Sequence, residues 1–258
     1  ISGGGSNDQL TGGAGADTFT LDSGFDTISD LGVGGDDILI VKSGAIAIAN
    51  GILSFIATSD TSNAGTASLT AADGGSRTIS VASAAAGSFT LTGGTGKDTL
   101  TGGLAADIIG GGSGDDIITG GSGDDIITGG AGVDTFNVDV GTDTITDLGG
   151  SGGESDKLII SENATAKATV SVSFTATSDT VNHANNAVTK AVLSTDTDGA
   201  TIDMSAASGV FTLTGGAGVD KLTGGAGADT IDGAGGDDII TIAAAGKGDT
   251  DVMDGGAD

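Results

Sequence analysis

The sequence predicts an all-β chain in which parallel strands stack as a solenoid, in blocks that alternate with β-strand intervals. Three observations predict it. A nine-residue pattern, Gly-Gly-x-Gly-x-Asp-x-apolar-x, is written five times between Gly93 and Asn137. The 258 residues include 51 Gly and no Pro, Cys, Trp or Tyr, which is repeat usage rather than ordinary globular usage. A longer echo returns as well: Phe55-Ile-Ala-Thr-Ser-Asp-Thr comes back as Phe174-Thr-Ala-Thr-Ser-Asp-Thr, and Phe89-Thr-Leu-Thr-Gly-Gly as Phe211-Thr-Leu-Thr-Gly-Gly, a super-repeat of roughly 120 residues.

The central repeat carries most of the information. Its aspartates, Asp98, Asp107, Asp116, Asp125 and Asp134, fall nine apart, and Asp143 keeps the step although its glycines have decayed. An apolar residue follows each two places later: Leu100, Ile109, Ile118, Ile127, Phe136 and Ile145. A helix is excluded, because this period scatters the apolar residues over different faces and the glycines would melt it. Glycine points instead to tight turns with positive φ. One unit therefore reads as a six-residue turn, such as Gly111 to Asp116, and a three-residue strand, Ile117 to Thr119, whose middle side chain faces inward. Two units make one coil, with strands in two parallel sheets and turns stacked along both edges. Burial of one apolar residue per unit contributes roughly 1.5 to 3 kcal/mol, little to set against the ordering of nine residues. The turns need another source of cohesion.

A glycine-rich turn exposes backbone carbonyls, and a short Asp adds a carboxylate without blocking them. Hard cations such as calcium take about six to eight oxygens of this kind. Of the acidic residues only Glu154 and Glu162 are Glu, which suits a tight cage. On these residues the motif resembles the calcium-binding RTX nonapeptide repeat, and the whole stretch resembles parallel RTX β-roll blocks. The resemblance implies multiple Ca2+ ions, each held between two turns on one edge, 18 residues apart, by two Asp carboxylates and the carbonyls of the first four turn residues. Carried over residue by residue, it implies carboxylate ligands at Asp8, Asp17, Asp26, Asp98, Asp107, Asp116, Asp125, Asp134, Asp143, Asp220, Asp229, Asp238 and Asp251. In the central block it pairs Asp98 with Asp116, Asp116 with Asp134, Asp107 with Asp125, and Asp125 with Asp143. The implied carbonyl ligands in the first block are Gly12, Gly13, Ala14 and Gly15. In the central block they are Gly93, Gly94, Thr95, Gly96, Gly102, Gly103, Gly111, Gly112, Ser113, Gly114, Gly120, Gly121, Ser122, Gly123, Gly129, Gly130, Ala131 and Gly132. In the last block they are Gly215, Gly216, Ala217, Gly218, Gly224, Gly225, Ala226 and Gly227.

Taken in order, the chain opens at Ile1 inside a repeat, which reads as a piece of a longer protein. Block 1 covers residues 1–40, with Asp8 and Asp26 as its same-edge pair, and leaves through Phe25-Asp-Thr-Ile-Ser-Asp-Leu and Asp36-Asp-Ile-Leu-Ile. The same exit returns as Thr142-Asp-Thr-Ile-Thr-Asp-Leu and Asp156-Lys-Leu-Ile-Ile. Over 41–92 the beat vanishes and alternation takes over, with turn signals at Asn50-Gly51 and Asp73-Gly74-Gly75. Alternation around Asn-Gly predicts hairpins, hence antiparallel strands between the blocks. Block 2 spans 93–157, a second interval 158–214, and block 3 215–258, with Leu222, Ile231 and Ile240 as apolar partners. An insertion around Ala243 to Ala245, ahead of Lys247, shifts the register so that Asp251 and Met253 take the Asp and apolar positions. Phe19, Phe55, Phe89, Phe136, Phe174 and Phe211 fall in three equivalent pairs and read as core plugs.

Charge and missing residues narrow the function. The net charge of −27 argues against nucleic acid or an anionic membrane surface as partner and invites cations. Apolar runs such as Ile38 to Val41 are too short for membrane insertion. No cysteine means no disulfide framework and no thiolate site. An enzyme is not expected. His183, the lone histidine, lies in a turn composition, no His-Glu-x-x-His or Gly-x-Ser-x-Gly occurs, and Gly93-Gly-Thr-Gly-Lys-Asp lacks the spacing of a phosphate loop.

The alternation of rolls with Thr- and Ala-rich strands is similar to RTX-type surface-layer (S-layer) proteins of Gram-negative bacteria. That resemblance implies type I secretion in one step, location at the cell surface, self-association into a lattice, and contact with cell-surface polysaccharide through regions outside this stretch. Asp36, Asp37 and Asp156 are expected to share ions between subunits. The alternatives are a carboxy-terminal RTX secretion module of a protease, lipase or toxin, and a calcium-dependent adhesin.

Overall fold

The computed structural model describes residues 1–149, 155–162, 164–170, 173–183, 191–195, 199–242 and 250–256. The insertion at Ala243 to Ala245, Lys247 and Glu154 lie outside the described residues. The chain divides into two compact units, Ile1–Ile127 and Thr128–Asp258. Each is a parallel β-solenoid, and no helix occurs among the described residues.

In the first unit one long sheet runs through Gln9–Leu10, Gly24–Ile28, Ala45–Ile52, Thr66–Ala71, Phe89–Thr95 and Ile108–Ser113, in that order and all parallel. The intervening strands form two shorter parallel stacks. Ser2–Gly4, Thr18–Leu21, Ile38–Val41 and Ser62–Asn63 make one; Ser54–Ile56, Thr78–Ser80, Thr99–Thr101 and Ile117–Thr119 make the other. Repeat coils touch the long sheet and one short stack. The interval coil that begins at Ala45 visits the long sheet, then Ser54–Ile56, then Ser62–Asn63, and so has three sides.

The second unit repeats this plan. Its long sheet includes Gly141–Leu148, Ala164–Val170, Ala191–Thr195, Thr212–Thr214, Thr230–Asp232 and Val252–Asp254. Thr135–Val138, Lys157–Ile160 and Val181–Asn182 stack beside one another, as do Ser173–Thr175, Thr201–Asp203, Lys221–Thr223 and Ile239–Thr241.

The intervals are not antiparallel. Asn50 and Gly51 lie in the strand Ala45–Ile52, which pairs in parallel with Gly24–Ile28 before it and Thr66–Ala71 after it. Gly51, at φ 74°, starts the corner that carries the chain from the long sheet to Ser54–Ile56, and Gly74 and Gly75, at 74° and 75°, do the same between Thr66–Ala71 and Thr78–Ser80. A residue pair that supplies positive φ makes a corner whichever partner the next strand finds. Here the partner is one coil away.

The core is a thin column inside each unit. Leu100, Ile109, Ile118 and Ile127 are buried in the first unit, and Phe136, Ile145, Leu222 and Ile231 in the second. In Ile117–Thr119 only the middle side chain is fully buried. The six paired phenylalanines are buried, while Phe25 is exposed. At the far end of block 3 Ile240 is half-buried and Met253 exposed.

Candidate metal centre

The turns place the aspartates in ladders along the solenoid edges, and the parallel register of the strands dictates this. Thr99 sits beside Ile117, so the preceding residues, Asp98 and Asp116, are stacked too. The Asp98 backbone N–H donates to Asp116 Oδ1 at 2.7 Å, and the Asp107 N–H donates to Asp125 Oδ1 at 2.7 Å. Asp8 donates likewise to Asp26 (3.1 Å) and Asp220 to Asp238 (2.9 Å). Asp251, behind the register shift, accepts from the Asp229 N–H at 2.9 Å. Asp134 and Asp143, in the second unit, are both buried.

The second carboxylate oxygen turns back into its own loop. Asp98 Oδ2 accepts from the Gly94 N–H (3.0 Å), Asp107 Oδ2 from Gly103 (2.6 Å), Asp220 Oδ2 from Gly216 (2.7 Å) and Asp229 Oδ2 from Gly225 (2.8 Å). The first glycine of each turn is required by space rather than by φ. A Cβ on Gly93 would stand 1.8 Å from Gly111 O, and one on Gly102 would stand 2.0 Å from Gly120 O. Positive φ is needed at the fourth residue, where Gly96, Gly114 and Gly123 sit at 122° to 124°, and in several turns at the second, as at Gly112 (108°) and Gly121 (97°). The carbonyls of Thr95, Gly103, Ser113 and Gly216 each accept one N–H from a neighbouring turn. A carbonyl has two lone pairs, so each keeps capacity for a cation.

The electrostatics of these ladders demand positive charge. Asp98, Asp107, Asp116 and Asp125 are at most 1% exposed. Burial pushes the Asp116 carboxyl up to about 6, with Asp98 and Asp115 adding repulsion, against the Asp98 N–H and Lys97, which pull it down. Burial raises Asp107 as well, opposed by the N–H groups of Gly103 and Phe89. The ion pairs Lys42 with Asp22 and Lys157 with Asp179 are at the surface and involve none of these carboxylates.

The residues fit calcium. Asp26 is fully buried, and its Oδ2 meets no hydrogen-bond donor among the described residues, although Oδ1 is held by Asp8. It lies against Gly3, where a Cβ would come within 2.6 Å of it. Asp238 Oδ2 repeats this in the second unit, against Gly233 at 2.4 Å. A buried carboxylate oxygen without a donor is costly unless a cation meets it. No group of three acidic or imidazole side chains that could hold a metal converges among the described residues.

Four stretches, residues 1–28, 90–118, 110–145 and 212–240, match the family model of the RTX calcium-binding nonapeptide repeat (4 copies). These four stretches are similar to RTX repeats. The matches fall on the blocks with Asp ladders and leave most of both intervals outside. RTX nonapeptides are calcium-binding motifs, which agrees with the donor set above. No match was found among curated proteins or among solved structures.

The structure adds residues to the Asp ladders that lie outside the nine-residue motif. Asp37 and Asp156 are buried ladder members. Asp37 accepts from Asp17 N–H (2.9 Å) and Gly32 N–H (2.7 Å), and Asp156 from Asp134 N–H (2.9 Å) and Gly149 N–H (2.7 Å). Asp36 is exposed. Asp30 spans the N–H groups of Gly12 and Gly13, and Asp147 those of Gly129 and Gly130, each carboxylate closing a turn with both oxygens. Their signal in the sequence is the exit pattern, which carries two of these four aspartates in each copy, Asp30 and Asp37 in the first and Asp147 and Asp156 in the second.

Proposed function

We propose that this chain is a structural, non-enzymatic segment of a secreted surface-layer protein whose RTX rolls fold around calcium outside the cell and whose intervals join the rolls into one building element. The observation that carries the reading is the distribution of the ladders. Carboxylate ladders recur in three blocks, and in each unit the strands of the interval keep the parallel stacking of the rolls. RTX repeat proteins are typically secreted, and a chain of net charge −27 stays open where calcium is scarce because its carboxylates repel.

Asp26 and Asp8, Asp98 and Asp116, Asp107 and Asp125, and Asp220 and Asp238 would hold the ions with carbonyls of their turns. When bound, calcium supplies the positive charge that the stacked carboxylates lack. The smaller magnesium ion demands stricter octahedral geometry and dehydrates reluctantly, so it is a poor substitute. Self-association into a lattice and attachment to surface polysaccharide through other regions belong to the same proposal. The test is electron microscopy of the full-length secreted protein with calcium and after chelation. Ordered two-dimensional arrays that disperse with chelator are expected. Soluble monomers under both conditions would instead favour a secretion module of an exported enzyme or toxin.

A further inference from the structure

The geometry points to Arg77 as a built-in cation that takes the place of a calcium ion at the first turn of the ladder Asp98–Asp116, an inference that rests on the calcium reading of the turns above. Arg77 is the only arginine in the chain, and it stands in an aspartate slot. Its N–H donates to Asp98 Oδ1 at 2.8 Å, as the Asp98 N–H donates to Asp116 Oδ1 at 2.7 Å one coil later. The strands that follow are in matching register, Thr78 beside Thr99 and Thr99 beside Ile117. The slot below Asp98 therefore holds a permanent positive charge where the ladder holds a negative one.

The guanidinium folds back over its own corner. Nη1 donates to Ser76 O (3.3 Å) and Nη2 to Asp73 O (3.4 Å), so it occupies turn carbonyls of the kind that a calcium ion uses in the RTX turns. Nη1 also lies 3.1 Å from where a Cβ on Gly75 would stand, against the glycine face of the corner. Nε is buried and meets no acceptor among the described residues. A guanidinium keeps its charge at any working pH and spreads its donors in a rigid plane. It fills the carbonyl face of the corner and repels a divalent ion.

The consequence concerns folding order. A ladder that ended in an empty half-site would fray, whereas Arg77 lets this edge form before any ion arrives and leaves a finished surface for the first calcium-dependent coil. The matching slot in the second unit holds Ala200, whose N–H donates to Asp220 Oδ1 at 2.8 Å, so that ladder has no such cation.

The test counts ions on the full chain. Calcium bound per chain at saturation, by equilibrium dialysis and metal analysis, is compared for wild type, Arg77→Asp and Arg77→Lys. Arg77→Asp, which restores the carboxylate pair, is expected to bind one ion more than wild type, and Arg77→Lys the wild-type number. An unchanged count in Arg77→Asp overturns the inference, as does failure of that variant to fold in saturating calcium. Hydrogen exchange in excess chelator reads the folding role: amides between Gly74 and Asp98 are expected to exchange at least tenfold faster in Arg77→Ala than in wild type, and equal rates overturn it. A wild type that binds no calcium sinks the calcium reading itself, whereas a calcium-binding wild type with an unchanged Arg77→Asp count sinks this inference alone.

Discussion

Two coils of the first unit close the same corner by opposite means. Between Ala45 and Ala57 the interval coil buries Ala45, Ala47, Ala49, Ile52, Phe55 and Ala57. Its third side is tied by a neutral amide: Asn63 Nδ2 donates to Ser88 O, and Asn63 Oδ1 accepts from Gly65 N–H. The roll coil from Thr99 to Asp116 fully buries only Leu100 and Ile109 among its apolar residues, and it buries the carboxylates of Asp107 and Asp116 with them. An amide carries its own donor and acceptor, whereas stacked carboxylates accept only and repel one another. The interval is thus self-sufficient and the roll is built around a missing charge. The second unit draws the same contrast, with Asn182 donating to Val210 O in its interval.

The sharpest way to break this comparison is to remove calcium. Hydrogen exchange is expected to show roll amides such as Leu100, Ile109 and Ile118 losing protection in excess chelator, on the order of a hundredfold for each ion that was present at a hundred times its Kd. Amides of Ala45–Ile52 and Thr66–Ala71 should keep theirs. Uniform loss along the chain would show that the intervals lean on the ions as much as the rolls do. Magnesium should restore little of the far-UV strand signal.

Core truncations sharpen the same point. Phe55→Ala is expected to cost about 3 to 5 kcal/mol with or without calcium, because the side chain is 1% exposed in a coil that needs no ion. Ile118→Ala is expected to cost about 2 to 5 kcal/mol, seen only in calcium. Denaturant melts in both buffers measure the pair, and an Ile118→Ala effect that persists in chelator would place the roll among the metal-independent parts.

Acid should act on the rolls in opposite senses without and with calcium. Asp116 has its folded value raised from 3.8 to about 6, and Asp107 is raised too. A raised carboxyl holds its proton better in the fold, so this contribution is complete below the unfolded value and is lost as pH climbs through about 6. The chelated protein should therefore show more strand by circular dichroism at pH 4.5 than at pH 7.5. In calcium the sign reverses, since protons compete with the ion and affinity falls below about pH 6. A chelated sample indifferent to pH would mean that carboxylate repulsion is not what keeps the rolls open.

The smallest effect belongs to the surface. Lys157→Ala removes a 3.1 Å ion pair with Asp179 whose two ends are both well exposed, and the expected cost is below about 1 kcal/mol in either buffer. A larger loss would assign Lys157 a share in neutralising the nearby Asp156.

What the sequence determined by itself is the repeat, because the repeat is local chemistry. Nine-residue spacing of Asp98 to Asp134, glycine at the corners and one inward apolar residue per strand leave few folds other than a parallel solenoid, and the pairing of Asp98 with Asp116 and Asp107 with Asp125 follows from two units per coil. The role of the first glycine was only half legible, since Gly93 is needed for the approach of Gly111 O from the next coil, which no single turn reveals. Only the tertiary structure decided how the intervals pair. Asn50-Gly51 supplies the same positive φ to a hairpin and to a solenoid corner, and the choice between them is made by strands one coil away. It likewise decided that Asp37 and Asp156 belong to the ladders and that Arg77 stands in an aspartate slot, because those alignments run through backbone hydrogen bonds between neighbouring coils, across loops whose lengths break the nine-residue count.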